Sequence, residues 1–520
     1  MNNRRPCAGP WKTPSIDSKG NLTICCHDKH LRYTLGNLKD NEFDEIWFGK
    51  KADEIRLKHI EGRFEDLQNE EEINCATCSG FDSPKITDSE VESYLKQIGK
   101  PELVSKYLDR VGKGQNKIET LLVEFTDKCN LNCVMCKQKE AMKHSGGGMM
   151  DFNLFKSILQ DIKNSDFRVK ALTPFWYGEP FLHDEVLDML KFAADINYNK
   201  EYKKRLKSVS STKNKELIED FLNIYPYNNH VFDYMEIHTN GILLNKEIID
   251  FIFSEKGSQS IGYLVFSIDA LYESTYKKIR RGGDFKKVIE NLKYALQKKK
   301  SLMDNPLNRM RKKVRPVIVI QLIVMKENVH EAEIFVDYWK KIMDDLGLPC
   351  QINAGYNPPF LKDTIFLRLL GDLEPGELPE AWQLHEQVVQ KSKWFNNVKK
   401  IEADEEYVRR PCAALWLTPV IRWDGQMTVC CYDYEMKAGL GSIKNKKMSW
   451  LWNSDKMLQM RLDHVRGIFN HGACKGCPNI HSLQISDEDI VHWLQSTGNS
   501  DEIEPYLRRV KNNQLLRKFE

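Results

Sequence analysis

Residues 126–136 read TDKCNLNCVMC. Cys129, Cys133 and Cys136 stand in one loop at CxxxCxxC spacing, directly after residues 118–125, an apolar run that predicts a strand. Thiolates are the usual ligands of iron–sulfur clusters, and a four-iron cluster normally takes four. A loop that supplies three leaves one iron open to an outside ligand. The other reading of clustered cysteines is zinc, whose structural sites are ordinarily closed by four ligands. The loop holds no histidine, although His144 lies nearby.

Outward from this loop, strand-like runs alternate with amphipathic helices. Strands are predicted at 118–125, 171–176, 234–238, 263–268 and 317–324, and helices at 152–162, 185–194, 285–297 and 330–346. That alternation predicts a parallel α/β sheet, open or closed into a barrel. Residues 197–233 are rich in Lys, Asn and Ser and read as an insertion. Residues 357–410 are punctuated by proline and read as a linker.

The core is bracketed by an internal repeat. Residues 5–28, RPCAGPWKTPSIDSKGNLTICCHD, recur as 410–433, RPCAALWLTPVIRWDGQMTVCCYD, at a constant offset of 405. Cys75-x-x-Cys78 recurs as Cys474-x-x-Cys477, with the offset now 399. Each copy predicts a short β part, then helices, then a helical tail whose first residues, Asp88 and Asp487, read as caps. The resulting division is 1–80 and 81–116 for the first module and its tail, 117–360 for the core and 361–409 for the linker. The second module and its tail are 410–480 and 481–520.

Each module offers four cysteines: Cys7, Cys25, Cys75 and Cys78, then Cys412, Cys430, Cys474 and Cys477. Four thiolates close a four-iron cluster, and zinc is the alternative. Gly20 and Gly425 permit tight turns between the short strands. Cys26 and Cys431 adjoin ligands and read as small buried residues, alternative ligands or hydrogen-atom donors. Asp28 and Asp433 read as candidate bases or as partners of nearby backbone, Cys350 reads as a buried residue, and Trp11, Trp47, Trp416 and Trp452 read as packing residues.

Net charge is +3, from 77 basic and 74 acidic residues, which argues against a nucleic-acid partner. No apolar run approaches the roughly 18–20 residues of a membrane span, and no signal peptide is legible. The expected location is cytoplasmic, where 14 cysteines point to metal ligation rather than disulfides.

With these motifs in place, the core resembles the radical S-adenosylmethionine (SAM) superfamily over about 240 residues. Met149-Met150-Asp151-Phe152 is like the family's loop and helix start. Tyr177-Gly178-Glu179-Pro180 stands where the family has Gly-Gly-Glu-Pro, with Tyr177 replacing the first glycine. Thr239-Asn240-Gly241 and Ser267-Ile268-Asp269 end later strands, and Arg280 follows in an Arg-Arg-Gly-Gly turn. The resemblance implies a partial (β/α)6 TIM-like barrel. It further implies that Gly178, Glu179, Pro180, Asn240, Ser267, Asp269 and Arg280 bind SAM, with Glu179 at its amino group. The flanking modules resemble the twitch domain, a shortened SPASM domain. The second copy has the usual position, and the first is an addition before the core.

The implied chemistry is reductive cleavage of SAM to a 5′-deoxyadenosyl radical that takes a hydrogen atom from substrate. Three [4Fe–4S] clusters and an external donor such as a flavodoxin or ferredoxin accompany it. Two auxiliary clusters favour oxidation of a small molecule. A peptide or protein substrate, modified by crosslinking or epimerisation, is the alternative, with Cys350, Cys26 or Cys431 as hydrogen donor. A leader-binding winged helix is not legible, which favours the small molecule. A non-catalytic zinc or electron-transfer protein is the reading of a different class.

Overall fold

The computed structural model describes residues 5–67 (without 26, 27, 29, 30 and 32), 75, 86–107 (without 87 and 105), 117–198 (without 166), 215, 218, 222, 231–355 (without 312), 360–371, 378–395, 408–477 (without 476) and 485–512. The first module contains β1 (Ser15–Ile16), β2 (Asn21–Thr23) and β3 (Thr34–Asn37), which pair antiparallel as a separate sheet. The core contains β4 (Lys117–Val123), β5 (Asn132–Cys133), β6 (Arg168–Thr173), β7 (Phe232–Thr239), β8 (Ile261–Ser267), β9 (Arg280–Arg281), β10 (Val317–Val324), β11 (Cys350–Gly355) and β12 (Asp363–Leu369). The second module adds β13 (Val420–Ile421), β14 (Gln426–Thr428) and β15 (Gly441–Ser442).

One sheet runs β11-β12-β10-β8-β7-β6-β4-β13-β14-β15. From β11 to β4 every pair is parallel. β10 shows why: VIVIQLIV is buried at every position but Ile323, as a parallel strand covered on both faces requires. The covering helices follow the 3.6-residue period. Helix Phe152–Lys163 is capped by Asp151, whose side chain accepts from Leu154 N (3.0 Å), and it buries Leu154, Phe155, Ile158, Leu159 and Ile162. Helix Ala332–Asp345 buries Phe335, Val336, Trp339 and Met343 in the same way.

This mixed α/β architecture with a large parallel sheet agrees with a partial TIM-like barrel carrying iron–sulfur modules. Several boundaries differ from expectation. Residues 363–369, read as linker, form β12, which lies between β10 and β11 with Gln321 opposite Phe366. Prolines nearby and the charged Lys362, Asp363 and Arg368 hide its short apolar run in the sequence. β6 stops at Thr173, and Trp176 leaves the sheet for another contact. The helix Asp487–Ser496 is capped by Ser486, which accepts from Asp489 N (3.0 Å). Asp487 instead binds Arg410 and the Tyr506 hydroxyl. Helix Asp88–Gln97 likewise begins at Asp88 rather than after it. The insertion at 197–233 lies largely outside the described residues.

The repeat is visible in register. Ser15 opposes Thr23 and Val420 opposes Thr428, at the offset of 405. Both copies then carry helices: Phe43–Trp47 and Lys50–Glu61 in the first, Met448–Trp452 and Asp455–Val465 in the second. The copies differ in docking. β13 pairs in parallel with β4, Val420 opposite Leu122, so the second module extends the core sheet. Ile421 is fully buried there, whereas its counterpart Ile16 is 53% exposed. No helix among the described residues is long and apolar enough to cross a membrane.

Candidate active site and metal centres

The cysteine loop leaves β4 at the carboxyl end of the parallel sheet, where such folds gather their chemistry. It is tied down on both sides. β5 pairs with β9, setting Cys133 opposite Arg280, and Val134 N donates to Ile279 O (3.0 Å). Cys129 Sγ accepts from Leu131 N (3.4 Å). Arg280 Nη1 stands 3.7 Å from Cys133 Sγ. Burial pushes the Cys129 thiol up to about 12, and the charges of Glu179, Cys133 and Cys136 push the same way. Among the described residues no three Cys, His, Asp or Glu side chains are gathered tightly enough for a single ion. Burial raises Cys129 and Cys133, and Cys133 and Cys136 oppose ionisation of Cys129. A cationic iron–sulfur group offsets that cost, so the donor set fits one.

The next segments fold around this loop. Gly178 has no room for a side chain: a Cβ would stand 2.0 Å from Thr126 O and 2.8 Å from Lys128 O. Glu179 N donates to Lys128 O (2.9 Å). The Glu179 carboxylate is buried and accepts from Thr239 Oγ1 (2.7 Å), Asn240 N (2.8 Å) and Phe181 N (3.3 Å). Burial raises it to about 7, against the pull of those donors. Pro180 opens the short turn Pro180–Leu182. Asn240 Nδ2 donates to Asn130 Oδ1 (2.9 Å), inside the cysteine loop. Four of the seven residues expected at SAM (Gly178, Glu179, Asn240 and Arg280) are therefore drawn to the loop, and Pro180 follows directly on Glu179. Ser267 lies at the end of β8, where its Oγ accepts from Gln321 Nε2 (3.4 Å).

Asp269, expected at SAM, is bonded within the protein. It is fully buried at a positive φ of 60°, and its carboxylate is used internally. It accepts from Arg280 Nε (2.8 Å) and Nη2 (2.5 Å) and from Ile323 N (2.8 Å). It positions Arg280.

The second module reaches the same place. Trp423 Nε1 donates to Asp127 Oδ2 (2.9 Å), while Asp127 Oδ1 accepts from Gly148 N (2.8 Å). A Cβ at Gly148 would stand 2.3 Å from the Trp423 ring, so only glycine lets that ring lie there. Glu124, also buried, accepts from Tyr177 N (3.3 Å) and Trp423 N (3.5 Å). Burial, then the charge of Asp127, raises it to about 8. Trp176 Nε1 (2.7 Å) and Tyr177 Oη (3.3 Å) both donate to the Cys431 carbonyl.

In that module, burial raises Cys412 and Cys474 to about 12, and each feels the charge of Cys430 and Cys477. The four cysteines thus share one environment. In the first module a Cβ on Gly9 would stand 3.6 Å from both Cys7 Sγ and Cys25 Sγ, and Cys25 and Cys75 pack on one apolar cluster. Cys78 and Cys26 lie outside the described residues. Asp433 accepts from Thr428 Oγ1, Lys437 N and Ala438 N, and Asp28 from Thr23 Oγ1 and Tyr33 N, which are structural roles.

Cys350 is far from this chemistry. It is the first residue of β11, opposite Asp363 at the amino end of the sheet. Burial raises its thiol to about 11. A hydrogen donor at that end does not face the cysteine loop. Cys431 does lie near it, packed with Trp176 and Tyr177.

A polar pair that no sequence motif marks lies on β7. On β7, Tyr234, Glu236 and His238 alternate with buried Met235 and Ile237. His238 Nε2 lies 2.7 Å from Glu236 Oε1, and its ring stacks on Phe175 at 4.5 Å. Burial alone raises Glu236, but His238, Arg368 and Lys313 hold it below the usual carboxylate value. The period-two polar positions in an otherwise apolar strand were the available signal.

Residues 123–335 match the radical SAM superfamily, and residues 7–79 and 412–478 match an iron-sulfur cluster-binding domain, SPASM. A tungsten-containing aldehyde ferredoxin oxidoreductase cofactor-modifying protein of Pyrococcus furiosus is 21% identical over 73% of this chain and 93% of that protein. A GTP 3',8-cyclase of Clostridium botulinum is 26% identical over 36% of this chain and 46% of its own length. The solved structure of Streptococcus suis SuiB bound to S-adenosylmethionine is 13% identical, covers 79% of this chain and 78% of that one, and has a TM-score of 0.40.

Proposed function

Because the chain is a radical SAM enzyme of the SPASM/twitch type, with [4Fe–4S] clusters and SAM as cofactors, we propose that it oxidises a small polar molecule held in the barrel. When bound, the cofactors supply a 5′-deoxyadenosyl radical able to take a hydrogen atom from substrate, with the flanking clusters as an electron sink. Cys129, Cys133 and Cys136 are the ligands of the central cluster. Cys7, Cys25, Cys75 and Cys78, and Cys412, Cys430, Cys474 and Cys477, hold the other two.

The observation that carries the oxidative reading is the junction of Trp176 and Tyr177 with Cys431. The segment proposed to bind SAM is bonded to the loop that carries Cys430. The polar pair on β7 supports a small polar substrate. With Nε2–H donated to Glu236, His238 presents Nδ1 as an acceptor, able to take a hydroxyl or amine proton. Glu236 is a positioning residue for that tautomer. Two relatives, named as a cofactor-modifying protein and a GTP cyclase, carry small-molecule names. The reductant is a flavodoxin or ferredoxin, and the site of action is the cytoplasm.

The test is direct. Reduced, anaerobically reconstituted protein mixed with SAM forms 5′-deoxyadenosine, and Cys133→Ala abolishes it. His238→Ala keeps SAM cleavage but lowers substrate conversion by about 10²–10⁴-fold, the usual contribution of a general base. Unchanged cleavage in Cys133→Ala sinks the reading.

A further inference from the structure

Cys430 Sγ accepts a hydrogen bond from Tyr432 N (3.4 Å). The Cys129 and Cys7 thiols have the same local bond, from Leu131 N and Gly9 N. Behind the Gly9 bond the Ala8 carbonyl accepts from Trp11 N (3.0 Å) and Lys12 N (2.8 Å), both within its own module; the Cys430 bond differs in that the groups behind it are side chains of the core. The N–H of Tyr432 belongs to the peptide group whose oxygen is the Cys431 carbonyl. That oxygen accepts from Trp176 Nε1 at 2.7 Å and from Tyr177 Oη at 3.3 Å. Two core side chains therefore pull on one end of a peptide whose other end points at a proposed cluster ligand.

Hydrogen bonds in series polarise one another. A carbonyl that accepts two donors makes its own N–H a stronger donor. A stronger N–H···S bond stabilises the more negative, reduced state of a cluster and so raises its reduction potential. Both donors come from the segment that runs on through Gly178 to Glu179, whose N–H binds Lys128 O beside Cys129. Tyr177 is also the residue that replaces the family's first glycine, and glycine has no hydroxyl to donate.

We propose that Trp176 and Tyr177 are positioning residues that set the reduction potential of the C-terminal auxiliary cluster, by hydrogen bonding through the Cys431–Tyr432 peptide to Cys430 Sγ. The proposal rests on the reading that Cys412, Cys430, Cys474 and Cys477 hold a four-iron cluster. It assigns a function to the departure from Gly-Gly-Glu-Pro. It also makes the potential of one centre depend on the geometry of the segment that serves the other.

Redox titration of the full-length, anaerobically reconstituted protein, followed by electron paramagnetic resonance, tests it. One cluster signal, identified by its loss in Cys474→Ala, titrates at a more negative potential in Trp176→Phe. It shifts in the same direction, but less, in Tyr177→Phe, which removes the longer bond and leaves the ring. The remaining signals keep their potentials. Wild-type iron content with unchanged potentials in both variants overturns the proposal and leaves the cluster assignment standing. If Cys474→Ala retains all the iron of the wild type, the assignment itself fails and takes the proposal with it. Should Trp176→Phe not fold, Tyr177→Phe decides alone.

Discussion

Arg280 holds Asp269 through two nitrogens while its third nitrogen, Nη1, lies 3.7 Å from the sulfur of Cys133. The pair is buried, and the salt bridge joins the end of β8 to the cysteine loop through β9.

Replacing Arg280 with glutamine leaves the Asp269 carboxylate buried without its counter-charge. Removal of one member of a buried pair costs about 3–5 kcal/mol. Chemical denaturation of Arg280→Gln is expected to show a loss of that size, with iron content at the central site falling alongside. Stability within about 1 kcal/mol of the wild type contradicts the role given to the pair.

Gly178→Ala puts a methyl group 2.0 Å from the Thr126 carbonyl oxygen, so the backbone must move. Overpacking of this kind costs about 1–3 kcal/mol. Displacement of a positioning segment by about 1 Å costs about 100-fold in rate. A SAM-cleavage assay is expected to fall at least that far. Gly99→Ala is the control: its added methyl meets open space, and only the positive φ of 71° is strained, at about 1 kcal/mol. Its cleavage rate stays at the wild-type level.

Glu124 gives a pH signature. Its carboxyl is raised from 4.5 to about 8 by burial and by Asp127. The folded state therefore binds a proton that the unfolded state releases between those values, and its stability falls as pH rises from about 4.5 through 8. The decline is on the order of a few kcal/mol. Glu124→Gln cannot ionise and is expected to flatten that slope, giving its largest relative gain above pH 8. Denaturant midpoints measured across this range check it, and parallel slopes in the two proteins refute it.

Metal content separates the three cysteine sets. Three four-iron clusters give about twelve irons per chain. Cys133→Ala, Cys412→Ala and Cys7→Ala are each expected to remove about four, together with matching sulfide. Stoichiometric zinc in place of iron in either flanking module would remove its redox role.

The central cysteine loop and the parallel strands are legible because they are local. Thiol spacing is read within one loop, and β10 announces itself by eight consecutive residues of which only Gln321 is polar. The repeat was legible because its residues align at a constant offset. Contacts across the chain were hidden. Trp423 meets Asp127 some 296 positions away, and Trp176 meets Cys431 at a separation of 255. No periodicity encodes either. The inward bond of Asp269 to Arg280 is hidden too, because a carboxylate at a strand end looks the same in sequence whether it faces a ligand or turns inward to an arginine. The pair His238 and Glu236 was within reach of the period-two pattern but was read simply as strand.

The pairing of β13 with β4 orders events during synthesis. Leu122 is made early and finds Val420 only after almost 300 further residues have left the ribosome. Until then the core sheet has an open edge beside the cysteine loop, with the Leu122 and Glu124 amides lacking the Pro419 and Ile421 carbonyls they later bind. Closure is slow because the contact is so distant in the chain. The edge of the core sheet nearest the cysteine loop is thus the last to be completed, and it is completed by the module made last.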